Sequence, residues 1–156
     1  MKSVPPTERL TQLRMVLDAE TQDSRLLSQS PADNPICSIQ TKPDLGCVKI
    51  IWKRYATSTQ IRFVHELVLS ALQHYGFRKI LGDDRSLPTI HAEDQRWITE
   101  DWMPRAVAAG LRKCAGVYAR AYFGRLSTEQ VRARAPAPLE IQMFDTPEQA
   151  HAWLAN

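Results

Sequence analysis

The segment from Thr89 to Gly110 constrains the fold of this chain more than any other, because it reads as one helix between two short strand-like runs. Glu93 and Asp94 stand in its first turn, where carboxylates complement the partial positive charge of a helix N-terminus. It carries Trp97 and Trp102 and stops at Gly110, since glycine adopts a positive φ at little cost. A helix joining two short strands is the crossover of a β-α-β unit, so those strands are expected to run parallel with the helix packed on their sheet. Pro104 should kink or restart the helix, because it has no N–H to donate to residue 100 and its ring crowds that carbonyl. Five residues apart on an α-helix, Trp97 and Trp102 are separated by about 140° around the axis. One is expected to face the sheet and the other a partner surface or the N-terminal arm.

The same reading extends along the chain. Ile36 to Thr41 and Cys47 to Tyr55 read as strands around a Pro43 to Gly46 turn, with Val48, Ile50 and Trp52 on one face of a hairpin. That register sets residue 42 opposite Cys47 and Cys37 opposite Trp52. Thr57 and Gln60 have capping-box spacing, and the following helix is expected to bury Ile61, Val64, Val68, Leu72 and Tyr75 before Gly76 ends it. Phe77 to Gly82, Lys113 to Tyr118 and Leu139 to Phe144 read as three further strands. A helix from Phe123 to Ala133 lies between the last two. Thr146, Pro147 and Gln149 open a final helix that buries Ala150, Trp153 and Leu154. The order β-β-α-β-α-β-α-β-α predicts an α/β sandwich of about five strands and about four helices. Its sheet is mostly parallel, with an antiparallel N-terminal hairpin at one edge.

Length and composition narrow the classes. A chain of 156 residues fits one domain, here residues 35–156, preceded by an N-terminal arm over 1–34 in which Thr7 to Ala19 has the spacing of a short amphipathic helix. No apolar run approaches a membrane span, and no apolar stretch follows Met1 as in a secretory signal, so a cytoplasmic protein is expected. Cys37, Cys47 and Cys114 are scattered and odd in number, which suits free thiols in a reducing compartment. A net charge of +3 does not by itself call for nucleic acid.

The element order is similar to that of the STAS domain, the fold of bacterial anti-sigma-factor antagonists and of the cytoplasmic tails of sulfate transporters. More closely, the chain resembles a bacterial family of STAS-like (SpoIIAA-like) proteins. The residues that carry the likeness are Lys79 to Asp84, Glu93 to Trp97, Trp102 to Arg105, Ala109 with Gly110, and Phe144 to Leu154, within a span of roughly 36–155. Most are packing and capping positions, so they speak for a fold more than for an activity. STAS antagonists place a phosphorylatable serine in an Asp-Ser-Ser-Gly-like turn after the third strand. Here Ser86 lies near that position without the following glycine and the expected cap position, so the resemblance carries a phosphoserine switch over only weakly.

Among chemical candidates, Asp83 and Asp84 stand at the carboxyl end of a strand, where open α/β sheets bind ligands. Paired carboxylates there suit Mg2+ or a phosphoryl group. A receiver-type site needs a further aspartate and a lysine at other strand ends, and those ends offer Tyr55, Ala119 and Asp145. The histidines show no ligand spacing, and the nucleotide-binding glycine motifs and the serine-hydrolase elbow are absent, so no metal, cofactor or catalytic residue is expected. Asp101 stands four residues before Arg105, an ordinary helical ion pair. Charge is uneven: residues 83–101 carry six acidic against two basic side chains, and 112–134 carry six basic against one acidic.

The expectation is a non-enzymatic STAS-like module that binds a protein partner or itself, as a homodimer. Its surface is expected at Asp83, Asp84, Arg85, Ser86, Trp97, Asp101 and Trp102. The alternative is a binding protein for an apolar or anionic small molecule held near Tyr118, Tyr122, Phe123 and Arg125. Neither membrane nor nucleic acid is an expected partner.

Overall fold

The computed structural model describes residues 33–156. The N-terminal arm and its helix lie outside the described residues, apart from Asp33 and Asn34. The Asn34 side-chain oxygen accepts from the backbone N–H groups of Ile36 and Cys37 at 2.8 and 3.1 Å, turning the chain into the first strand.

Strands β1 (Cys37–Lys42) and β2 (Cys47–Trp52) form the antiparallel hairpin. Its register pairs Cys37 with Trp52 and Lys42 with Cys47, as the turn and the side-chain alternation require. Gly46, at φ 67°, supplies the left-handed residue of the turn. Helix α1 (Ser58–Tyr75) opens with a complete capping box: Gln60 N–H donates to the Thr57 hydroxyl at 3.3 Å, and Thr57 N–H donates to the Gln60 side chain at 2.9 Å. It ends at Gly76 in the left-handed conformation. Strand β3 (Lys79–Asp83) follows, then a composite helix α2, strand β4 (Lys113–Val117), helix α3 (Tyr122–Ala133), strand β5 (Glu140–Phe144) and helix α4 (Pro147–Ala155).

The five strands are hydrogen-bonded in chain order, β1-β2-β3-β4-β5, and every pair after the hairpin is parallel. A run of like-handed crossovers stepping one strand at a time deposits every crossover helix on the same face. The core is divided accordingly. Val48, Ile50, Trp52 and Ile80 pack under α1, α2 and α3 in the larger cluster. Cys47, Leu81, Ala115 and Val117 face the other way and are covered by Ala150 and Leu154 of α4. This helix is not a crossover between two of the five strands and closes the second face. Thr146 caps it by accepting from Gln149 N–H at 3.2 Å, and the Lys79 ammonium donates to the Leu154 carbonyl near its end at 2.6 Å.

Helix α2 is α-helical over Ala92–Trp97, makes a π-helical turn over Ile98–Trp102 and returns to α over Met103–Ala108. Met103 N–H bonds back to the Ile98 carbonyl, five residues earlier, and Pro104 sits in the first turn of the restarted helix, where its missing N–H costs nothing. This changes the expected angle between the tryptophans, while Trp102 is still the inner one and Trp97 the outer. A π turn brings residues five apart nearly into line, so Trp97 and Trp102 both meet His65 of α1, with ring centroids at 6.0 and 4.9 Å. Trp102 is buried and its indole N–H donates to the His65 carbonyl at 2.7 Å. Asp94, also buried, leaves the helix terminus and accepts from Ser58 at 2.7 Å and Arg62 at 3.3 Å, so a carboxylate expected to serve its own helix ties α2 to α1.

Two core assignments change. Tyr75 is exposed and stacks on Phe77 at 5.1 Å instead of entering the core. Trp153 is half-buried, against Phe144 on one side and beneath the Lys113 ammonium on the other. We expect Trp102→Phe, which keeps a ring but deletes the donor to His65, to lower the free energy of unfolding by about 1–3 kcal/mol in urea denaturation.

Candidate functional site

The carboxyl ends of β3 and β4 lie side by side, and the loops that leave them meet. Asp84 N–H donates to the Val117 carbonyl at 3.1 Å, and Arg120 N–H donates to the Arg85 carbonyl at 3.2 Å. These bonds bring together two residue sets that the sequence treats separately: Asp83 to Ser86 after β3, and Tyr118 to Arg125 at the start of α3.

Gly124 explains how α3 sits so close. A Cβ there would come within 2.6 Å of the Ala119 methyl, 2.7 Å of the Leu87 carbonyl oxygen and 2.9 Å of the Pro88 carbonyl oxygen. Two of these neighbours are backbone atoms with no rotamer to yield, so only glycine allows the first turn of α3 to rest on the β3–α2 loop. Ile90 N–H then donates to the buried Ser127 hydroxyl at 3.2 Å.

The two aspartates part company. Asp83 is buried and holds its neighbour Arg85 in a fork, Nε to one oxygen at 2.9 Å and Nη2 to the other at 2.7 Å. Burial alone would raise the Asp83 carboxyl, but the side-chain and backbone hydrogen bonds from Arg85 and its charge outweigh burial and hold it below the usual carboxylate range. Asp84 turns to the opposite face and lines the space between the sheet and the helices. Burial first, then the Asp83 charge, push its carboxyl up to about 7 against a hydrogen bond from Thr128. The single proton of that hydroxyl is also taken by the Gly124 carbonyl at 3.0 Å, which weakens the opposition.

On the outer side, the Tyr118 hydroxyl donates to Glu129 at 2.6 Å, and that bond, with burial, raises its phenol. The Arg125 guanidinium lies over the Tyr118 ring at 4.2 Å. Tyr118, Tyr122, Arg125, Leu126 and Glu129 line a surface groove of about 320 Å³. Tyr122 and Phe123 are exposed by 72% and 68% of their surface and touch edge-on at 5.4 Å. Ser86 and Arg120 are exposed as well.

The remaining partner-surface candidates lie on α2, in two different settings. Trp102 is interior. Trp97 is half-buried beneath the guanidinium groups of Arg62 and Arg105, at 5.3 and 5.9 Å. Asp101 pairs with Arg105 at 2.8 Å, as its spacing predicts. Arg105 also donates to Glu66 at 3.0 Å, so this carboxylate belongs to an exposed charge network. The cysteines are free; burial pushes the thiols of Cys37 and Cys114 up to about 12. Among the described residues no cluster of His, Cys, Asp and Glu could hold a metal ion, and no helix is long and apolar enough to cross a membrane.

Sequence reading missed the inward turn of Asp84 and the roles of Gly82, Gly116, Gly124, Thr128 and His65. Glycines inside a strand or helix are the signal that could have found three of them, because they mark close approach or missing volume. Comparison with protein-family models, curated proteins and solved structures finds no match to this chain.

Two outcomes follow from this geometry. Folded Asp84 keeps its proton where an unfolded aspartate, near 3.8, has lost it, so its ionisation opposes folding increasingly as the pH rises from about 4 to about 7. Asp84→Asn should therefore raise stability by roughly 2–4 kcal/mol at alkaline pH and change it little at acid pH, read from denaturation midpoints. Gly124→Ala should lower stability by about 1–3 kcal/mol, with amide exchange accelerated first in α3 and the β3–α2 loop.

Proposed function

We propose that this chain is a non-enzymatic, STAS-like interaction module of the cytoplasm. It binds a protein partner, or a second copy of itself, through the end of the sheet that carries Arg85, Ser86, Tyr122 and Phe123. The observation that carries this reading is the adjacent exposure of two large aromatic rings, 72% and 68% accessible, in the first turn of α3. Leu126, also exposed, extends the apolar surface by one helical turn. Apolar area costs about 25 cal/mol per Å² to leave in water, and aromatic and arginine side chains dominate the energetics of protein contacts. Arg120 and Arg125 flank the rings, so the fitting partner presents apolar side chains rimmed by carboxylates.

The order of elements supports the STAS-like reading, and the three free thiols are in keeping with a reducing compartment. The Tyr118–Arg125 groove belongs to the same surface, so it is read as part of the contact area. Within that area Arg125 lies across Tyr118 and only loosely approaches Asp145, at 3.9 Å.

Replacing Tyr122 and Phe123 together by serine should leave the unfolding midpoint within about 0.5 kcal/mol of the parent, since both rings are solvent-exposed. The same variant should weaken self-association in sedimentation equilibrium, or co-precipitation of the partner from cell extract, by about ten-fold or more. A strictly monomeric parent with no retained partner, or a variant that associates as well as the parent, would refute the proposal.

A further inference from the structure

The helix layer does not fill the space above the middle of the sheet, and the strand register explains why. Ile50, Gly82, Gly116 and Met143 are neighbours in one row across β2, β3, β4 and β5. Their side-chain positions face α1, α2 and α3, so two adjacent glycines leave the centre of that face bare. The result is a cavity of about 120 Å³, bounded by Ile50, Ile61, Ile80, Ile98, Trp102 and Val131. The two glycines are not equivalent. Met143 lies over Gly116, where an added Cβ would meet its sulfur at 2.4 Å, whereas at Gly82 the nearest atom is an Asp84 carboxylate oxygen at 3.6 Å. The free volume therefore adjoins Gly82, with the Asp84 carboxyl at its edge.

The few polar groups in the lining share a bias. His65 Nδ1 donates to the Ile61 carbonyl at 2.7 Å, and burial keeps the imidazole neutral, which leaves its Nε2 an acceptor. Thr128 shares its single hydroxyl proton between the Gly124 carbonyl and Asp84, so it has no free proton to offer a ligand. Cys114 stays a neutral thiol. Among the described residues no lysine or arginine lines the cavity. Apart from the protonated Asp84, these groups accept hydrogen bonds more readily than they donate them, and no cationic side chain among the described residues compensates an anion there.

We propose that this cavity is a binding site for a small, neutral, largely apolar molecule of phenol size carrying one hydroxyl group, which donates to Asp84. An apolar cavity of roughly 150 Å³ accepts a benzene ring, which sets the size class. Below about pH 7 Asp84 keeps its proton, so no formal charge among the lining groups offsets an anion or an ammonium group stripped of its water in an apolar chamber. The site lies within the core and does not depend on the interaction surface proposed above.

Phenol, benzoate and benzylamine titrated into the full chain, followed by amide and methyl chemical shifts and by calorimetry, test this. Phenol should bind saturably, shifting the methyl resonances of Ile50 and Ile80, with benzoate and benzylamine weaker by about ten-fold or more. Gly82→Ala, whose methyl enters free volume at ordinary contact distance, should weaken phenol by about ten-fold while the melting temperature is kept or raised. Asp84→Asn, which retains an acceptor oxygen, should bind phenol within about three-fold of the parent, and Asp84→Leu should lose it. Absence of saturable phenol binding at millimolar concentration, equal binding of benzoate, or Gly82→Ala and Asp84→Leu variants that both bind like the parent would each overturn the proposal.

Discussion

Strict chain order in a parallel sheet is the constraint from which the rest of the structure follows. Each strand after the hairpin is added beside its predecessor, so α1, α2 and α3 are driven onto one face and must share it. Crowding three helices over five strands makes their mutual contacts as important as their contacts with the sheet. Among the described residues the second face is left to α4, which covers β3 and β4 through Ala150 and Leu154. It also explains why the loops after β3 and β4 adjoin: consecutive strands in chain order are neighbours in space, so their exits are too.

Contacts between helices are where polar groups enter the core. Trp102 donates to the carbonyl of His65, and Asp94 accepts from Ser58 and Arg62, so α2 is anchored to α1 at two points by directional bonds. Between those points the helix widens into a π turn, which lets Trp97 and Trp102 both reach His65 while Pro104 restarts the spiral. Apolar packing alone would tolerate rotation of α2 about its axis. The bonded anchors do not, and they keep one wall of the inner cavity in place.

Elements whose signals are local were legible in the residues. The hairpin register follows from period-two alternation and a four-residue turn, and both helix caps at Thr57 and Thr146 follow from side chains three residues apart. Features set by register between distant strands were not. Nothing near Gly82 says that Gly116 will lie beside it, and nothing near Asp84 says that it will turn inward while Asp83 turns outward to grip Arg85. The two tryptophans were read with α-helical geometry, and the π turn, imposed by Pro104 and by packing on His65, changed their phase. Of the site residues, Tyr122, Phe123, Arg85 and Ser86 prove to be surface groups gathered at one end of the sheet, whereas Trp102 proves to be interior. Exposure depends on what the folded chain places overhead, and spacing alone does not carry that information.

The unequal glycines of the central row have a consequence for divergence within such a fold. At Gly116 the methionine of β5 already occupies the vacancy, so any larger residue must first displace it. At Gly82 a change to alanine would trim the chamber by one methyl group, set at ordinary contact distance from the Asp84 carboxyl. Chamber size is therefore adjustable from one strand and locked from its neighbour, and descendants of this chain could change what fits inside while their outer surface stays the same.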